Sequence, residues 1–230
     1  MQRSEAEGDG VRKKTQQREL AVVLRGVHNQ RRGAQGPHKR LHALQGVRVG
    51  LRDRSECPRR AVKQIGAIDH PAESIAACAD ADLIVIATPP LAMPEVFQAL
   101  APRLRPETVL TDVASVKSPV LRWAEAHLPY PSRFVGGHPI AGTEHYGVRA
   151  ARADLFHGAP WALTPTAQTD PDALLRVEAF VRTLRAAPLT VDPAQHDREF
   201  ALLSFLPHAV AFSLAALHRE NPTTDRKSVV

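Results

Sequence analysis

The sequence is poor in cysteine and has no long apolar run. Cys57 and Cys78 are the only cysteines in 230 residues, and they form no C-x-x-C pair. This excludes a disulfide framework and a cysteine-based zinc site, and it suits a reducing compartment. No uninterrupted apolar run approaches the roughly 20 residues that span a bilayer, and none near Met1 resembles a signal peptide. We therefore expect a soluble cytoplasmic protein without a membrane span.

The basic residues are concentrated at one end of the chain. Residues 1–54 hold 13 basic and 5 acidic side chains, whereas residues 55–230 hold 17 and 19. A basic arm can bind nucleic acid through phosphate contacts. Since this one lacks interleaved aromatic residues and any recognised module, non-specific, salt-sensitive binding is the most that it could offer. We expect no specific nucleic-acid partner.

Short apolar runs alternate with helical stretches from Arg59 onward. Leu83–Ala87 is continuously apolar and ends at Thr88-Pro89-Pro90, as expected of a strand buried on both faces. Further strand candidates are Val109–Val113, Arg133–Val135, Trp161–Thr164 and Leu189–Val191. This alternation predicts an α/β fold, a doubly wound parallel sheet with helices on both sides.

Three helix starts carry a capping residue followed by proline, namely Ser118-Pro119, Asp170-Pro171 and Asp192-Pro193. In the second of these helices the apolar residues Leu174, Val177, Val181 and Leu184 share one face. Phe200–Leu217 is apolar nearly all round, which predicts the first helix of a separate helical domain. Pro207 lies inside it and predicts a kink or a break. Because one apolar helix cannot bury itself, we expect a continuation or a partner chain to cover it.

The segment Gly136–His145, of sequence GGHPIAGTEH, has the strongest chemical signal. It follows a strand candidate, and ligands bind at the carboxyl ends of strands in open parallel sheets. Paired glycines allow a ligand close to the backbone, and Pro139 would fix a turn that presents His138. Such a histidine can act as a general base near neutral pH. The alternative is a loop histidine that only satisfies backbone groups.

Together with Thr111–Lys117, His196-Asp197 and Ser204–His208, this segment resembles the prephenate and arogenate dehydrogenases of tyrosine biosynthesis. The resemblance runs from about Asp53 to about His218. It implies a Rossmann-like dinucleotide-binding domain followed by an all-helical dimerisation domain, and hence a homodimer. It also implies oxidative decarboxylation of prephenate or arogenate, with hydride transfer to NAD or NADP.

The resemblance also implies roles for individual residues. His138 matches the histidine that accepts the proton of the reacting hydroxyl, and Ser115 matches the serine that orients it. The positions that match substrate-pocket residues are Thr143, Glu144 and His208. The positions that match cofactor-binding residues are Asp53, Thr88, Pro89, Pro90 and Asp112, with Asp53 at the adenosine ribose. Singly, each of these has an ordinary structural alternative, such as a helix cap or a solvated loop carboxylate.

Three departures from the family accompany the resemblance. The region before Asp53 lacks a strand followed by G-x-G-x-x-G, the motif that holds a pyrophosphate at a helix N-terminus. Phe205 stands where the family commonly has histidine, and the later helices, with an arginine for the ring carboxylate, are missing. Our hypothesis is that residues 1 to about 48 come from a shifted reading frame or a wrong start and that the end is truncated. The expected domains are an atypical basic segment over 1–46, a dinucleotide-binding-like domain over 47–191 and a truncated helical domain over 192–230.

Two rival functions remain open. The chain could be a non-catalytic fragment or relative that binds a carboxylate ligand or a protein partner without a dinucleotide. A metal enzyme is the other rival, suggested by 11 histidines. Because no H-E-x-x-H or comparable spacing occurs, we expect no metal site.

Overall fold

The computed structural model describes residues 20–24, 47–51, 70–72, 74–142 and 152–220. In these parts, eight strands form one sheet in the order β3-β2-β1-β4-β5-β6-β7-β8. The strands are β1 Leu20–Leu24, β2 Val47–Leu51, β3 His70–Ala72, β4 Leu83–Ala87, β5 Val109–Asp112, β6 Phe134–Pro139, β7 Pro160–Thr164 and β8 Ala187–Thr190. The helices are α1 Met93–Leu100, α2 Ser118–His127, α3 Pro171–Thr183, α4 Pro193–Phe200 and α5 Leu206–Glu220.

The sheet is mixed in direction. Strands β4, β5 and β6 run parallel, as do β2 with β3 and β7 with β8. Strand β7 is antiparallel to β6, and β1 is antiparallel to both of its neighbours. The predicted doubly wound arrangement therefore holds in the centre of the sheet, while β1 runs against it.

Two apolar clusters cover the two faces of the sheet. Along β4, Ile84 and Ile86 join one cluster with α1 and α2, whereas Leu83 and Val85 join the other with α3. Burial on both faces explains why β4 is apolar at every position. The same arrangement explains α3, where Val177 and Val181 are fully buried.

Two of the three predicted helix caps are confirmed. The Asp170 carboxylate accepts a hydrogen bond from the Asp172 amide, and Asp192 accepts one from the Gln195 amide. Ser118 differs from the prediction, since it is the first residue of α2 and no side chain of that segment caps the helix. A carboxylate from the distant α4 takes this place, as described below.

The C-terminal helical stretch continues through Pro207 instead of breaking. Residues Ala201–Phe205 form a π-helical turn between α4 and α5, in which the Leu206 amide donates to the Ala201 carbonyl. Pro207 is the second residue of α5 and follows directly on this turn. The change in hydrogen bonding thus lies just before the proline.

The stretch Pro193–His218 has the length and composition of a membrane span, with a mean hydropathy of 1.9 over its most apolar window, none of which is buried. The sequence argument missed it because serine, proline and histidine interrupt the apolar run. Its exposed apolar side chains include Leu203, Phe212 and Leu214.

Candidate functional site

The carboxyl ends of three parallel strands lie at one edge of the sheet and carry most of the predicted residues. Thr88, Pro89 and Pro90 follow β4, and Ser115 follows β5. His138 is the next-to-last residue of β6. This is the edge at which open α/β sheets bind ligands.

His138 lies on a strand and not in a loop, which corrects the prediction from sequence. Strand β6 extends through Gly136, Gly137 and His138 to Pro139, and these residues pair with β7. Pro139 is therefore the end of a strand opposite Trp161, not part of a turn. Regular pairing on one side gives the histidine backbone a fixed position.

The two glycines allow β6 to pack closely against neighbouring groups. A Cβ at Gly136 would lie 2.4 Å from Thr164 Oγ1, and one at Gly137 would lie 2.5 Å from the Asp112 carbonyl oxygen. Both distances are far below van der Waals contact. Glycine is thus required here because neighbouring strands come close.

A buried ion pair holds Gly137 from the β5 side. Lys117 Nζ lies 2.5 Å from Asp112 Oδ2 and donates to the Gly137 carbonyl at 2.6 Å. Asp112 Oδ1 accepts from the Gly137 amide at 2.9 Å, and Oδ2 also accepts from the Ala114 amide. Both charged side chains are fully buried. The pair binds both backbone groups of the residue before His138, so it positions the histidine.

Protein groups surround the Asp112 carboxylate in this arrangement. Its carboxylate has no exposed surface, and its partners are all protein groups. Burial lowers the pKa of Lys117, and the attraction of Asp112 opposes that shift. Asp112 thus acts on the described part of the site through Gly137, and its assignment to the cofactor stays a prediction.

The His138 side chain is bound by α4. Its Nδ1 lies 2.9 Å from His196 Nε2, and the two rings pack edge to face. Phe200 stacks on His196 at a centroid distance of 4.6 Å and also meets the edge of His138 at 4.7 Å. His138 is partly buried, whereas His196 is fully buried.

Asp197 fastens α4 to the start of α2. Its carboxylate accepts from the Lys117 amide at 2.7 Å and from the Ser118 amide at 2.8 Å, which caps α2 in place of Ser118. Asp197 Oδ1 also lies 3.0 Å from His196 Nδ1. One carboxylate thereby connects a helix N-terminus to the pair of histidines.

The surrounding groups lower the pKa values of both His138 and Asp197. Burial, reinforced by the nearby His196 and Lys117, lowers the pKa of His138 to about 4. Burial alone would raise the pKa of Asp197, but hydrogen bonds from Ser118, the two backbone amides and His196 lower it to about 2. At neutral pH His138 is therefore uncharged and Asp197 is ionised.

The remaining predicted residues are placed as follows. Ser115 is half-buried and has no hydrogen-bond partner among the described residues, so the structure does not show it orienting His138. His208 is exposed on α5, where Nδ1 bonds the Ser204 carbonyl at 2.7 Å and the ring lies near Phe212. Asp53, Thr143 and Glu144 lie outside the described residues.

Sequence reasoning gave no role to four residues that shape the site, Lys117, His196, Asp197 and Phe200. Lys117 and His196 belonged to segments that carry the resemblance but were given no role. A lysine five residues after an aspartate that ends a strand was a usable signal. Nothing local in the sequence indicates that His196 reaches His138, which is 58 positions away.

Comparison with known proteins decides the family. Residues 40–188 match the family model described as prephenate dehydrogenase, nucleotide-binding domain, and residues 192–229 match prephenate dehydrogenase, dimerization domain. The chain belongs to the prephenate dehydrogenase family. The predicted resemblance and the Rossmann-like fold with the start of a helical domain are thereby confirmed.

Individual relatives agree with this result. The chain is 36% identical over 165 residues to a prephenate dehydrogenase of Bacillus subtilis, covering 70% of this chain and 44% of the relative. It is 33% identical to a cyclohexadienyl dehydrogenase of Zymomonas mobilis, covering 74% and 58%. A crystal structure of Aquifex aeolicus prephenate dehydrogenase in complex with hydroxyphenyl propionate and NAD+ matches with a TM-score of 0.67 at 34% identity, covering 75% and 59%. The chain thus spans about half the length of the curated relatives it matches.

Proposed function

We propose that this chain carries the catalytic edge of an NAD-dependent dehydrogenase that oxidatively decarboxylates prephenate to 4-hydroxyphenylpyruvate in tyrosine biosynthesis. The observation that carries the proposal is the setting of His138. It is uncharged at neutral pH, has one ring nitrogen engaged by His196, and lies at the ligand-binding edge of the sheet. Family membership supplies the reaction class, and a relative of known structure binds NAD+ and a hydroxyphenyl ligand.

In this reaction His138 Nε2 accepts the proton of the substrate hydroxyl as its carbon–oxygen bond gains carbonyl character. The carbon that bears this hydroxyl gives up its hydrogen as the hydride. The ring carboxylate leaves as carbon dioxide, the electrons of the broken carbon–carbon bond make the ring aromatic, and the former carbonyl oxygen takes the proton back from His138 to give the phenol. Bound NAD supplies the acceptor for the hydride. Ser115, whose hydroxyl is free of partners among the described residues, would contact the same hydroxyl group. Thr143, Glu144 and His208 are proposed to line the substrate pocket.

The cofactor fits one part of the site. At the end of β4 the Thr88 hydroxyl is buried without a hydrogen-bond partner among the described residues, which suits contact with a polar ligand group. Thr88, Pro89 and Pro90 would therefore hold the nicotinamide end, and Asp53 is proposed for the adenosine ribose. The described residues offer no pyrophosphate site after β1, because the antiparallel β1 ends at the opposite edge of the sheet.

The direction of β1 favours a second candidate, a non-catalytic relative that binds a carboxylate ligand or a protein partner without a dinucleotide. In either case we propose a cytoplasmic homodimer, formed through the helices of the dimerisation domain. The apolar surface of α5 is consistent with burial against a second protein surface.

The test is an assay of the purified 230-residue chain with prephenate and NAD, with arogenate and NADP in parallel. NADH absorbance and mass-spectrometric detection of 4-hydroxyphenylpyruvate measure turnover. His138→Asn should lower kcat by about 10²- to 10⁴-fold and leave NAD affinity nearly unchanged. His157→Asn changes an exposed histidine and should match the parent. Equal turnover in His138→Asn and the parent would overturn the assignment, and a folded parent that binds no dinucleotide would favour the non-catalytic relative.

A further inference from the structure

We propose that His196 and Asp197 are positioning residues that hold His138 in the tautomer whose Nε2 is unprotonated. The inference rests on the proposed function, since it explains how His138 is kept ready to accept a proton. It assigns a role in the chemistry to α4, which belongs to the segment that matches the dimerisation domain.

The geometry is a continuous line of hydrogen bonds. Asp197 Oδ1 lies 3.0 Å from His196 Nδ1, and His196 Nε2 lies 2.9 Å from His138 Nδ1. His196 is thus bound through both of its ring nitrogens, and its side chain is fully buried. The second nitrogen of His138 remains for a ligand.

The acceptor at one end fixes the hydrogen positions along the line. An ionised carboxylate can only accept, so His196 Nδ1 must donate to Asp197. A neutral His196 then has a lone pair on Nε2, which accepts from His138 Nδ1. Neutral His138 has one N–H, so its Nε2 carries the lone pair. The opposite tautomer would place a hydrogen on the atom that must take the substrate proton.

The surrounding groups keep this line in place. The amides of Lys117 and Ser118 hold the Asp197 carboxylate, so the acceptor cannot rotate away from His196 without uncapping α2. Phe200 covers both imidazoles. From the β5 side the Lys117 ammonium opposes protonation of His138, while Asp197 favours it. The hydrogen-bond geometry thus selects the tautomer, while burial and the Lys117 charge keep His138 neutral.

The first test is direct and needs no turnover. The chain is labelled with ¹⁵N-histidine, its side-chain nitrogen shifts are recorded at neutral pH, and the His138 signals are assigned by their loss in His138→Asn. We expect the Nδ1–H tautomer for His138 in the parent. Detection of the Nε2–H tautomer would overturn the proposal, even where the dehydrogenase activity itself is present.

Variants of the two positioning residues then separate tautomer control from packing. In Asp197→Asn the new amide can donate to His196 Nδ1, which reverses the line and moves His138 toward the Nε2–H tautomer. We expect kcat to fall by about 10- to 100-fold with little change in KM. Asp192→Asn, at the cap of the same helix, is the matched control and should preserve the tautomer.

Two substitutions of His196, one that keeps a hydrogen-bond acceptor and one that does not, test its role. His196→Gln keeps a carbonyl that can accept from His138 Nδ1, so it should retain the tautomer and most of the turnover, whereas His196→Leu should lose both. Equal His138 spectra in the parent, Asp197→Asn and His196→Leu would refute the role of these residues. A parent with the expected tautomer but no turnover would contradict the proposed function alone.

Discussion

Replacement of Lys117 by methionine tests whether the buried ion pair holds the site together. Lys117 Nζ donates to Asp112 Oδ2 and to the Gly137 carbonyl, and neither charged side chain is exposed. Methionine keeps the apolar stem but removes both hydrogen bonds. The Asp112 charge is then left in the core with only the Ala114 and Gly137 amides as partners.

The expected cost follows from these losses. Removing one partner of a buried pair typically costs about 3–5 kcal/mol, because the other charge is left uncompensated. Asp112 keeps the hydrogen bonds from two backbone amides, which favours the lower end of this range of destabilisation. The Gly137 carbonyl loses its hydrogen bond from Lys117, which favours the upper end. We therefore expect the free energy of unfolding to fall by about 3–5 kcal/mol, out of the roughly 5–15 kcal/mol typical of a domain.

Urea unfolding followed by circular dichroism at neutral pH measures this change, provided that the slope against urea stays constant. Arg122→Met is the control, since Arg122 is an exposed cation on α2, the helix that begins just after Lys117, and its replacement should change stability by less than about 0.5 kcal/mol. A loss below about 1 kcal/mol in Lys117→Met, the range of an exposed ion pair, would refute the reasoning.

Two further predictions concern the same strand. Gly137→Ala should cost about 1–3 kcal/mol, because its Cβ would meet the Asp112 carbonyl, whereas Gly142→Ala has open space and should be nearly neutral by the same urea assay. Stability should also depend on His138: its pKa of about 4 in the fold lies below the usual 6.5, so the unfolded chain takes up the proton first as pH falls. The stability advantage of the parent over His138→Asn should therefore be complete above pH 6.5 and shrink as pH falls toward 4. An advantage that grows over this range would contradict the lowered pKa.

The elements that the sequence predicts well are those whose cause is local. Strand β4 follows from an unbroken apolar run closed by proline, and α3 follows from its cap at Asp170 and from the spacing of Val177 and Val181. In both cases the residues that determine the element lie inside it. The alternation of such elements was enough to indicate the α/β class.

The sequence predicts a site residue only where the residue type itself, such as histidine, indicates a chemical role. His138 stood out as a histidine after a strand, and this identified the position but not its neighbours. The start of α2 depends on Asp197, about 80 positions away, so Ser118 gave a false cap signal. Gly136 and Gly137 are likewise required by close contacts with Thr164 and with the Asp112 backbone on adjacent strands. Contacts of this kind depend on strand order, which periodicity does not reveal.

The direction of β1 distinguishes the early part of the chain from the part that carries His138. The apolar run Leu20–Leu24 forms β1, but no local pattern in the sequence indicates the direction of this strand. In the sheet Leu24 lies opposite Leu83, the first residue of β4, so β1 ends at the edge remote from His138. The excess positive charge and the missing glycine motif fall in the same early part of the sequence. These features separate β1, which ends away from the site, from the later part of the chain, in which His138, Lys117 and Asp197 form one connected network. Measuring NAD affinity apart from turnover therefore decides between the dehydrogenase and its non-catalytic alternative.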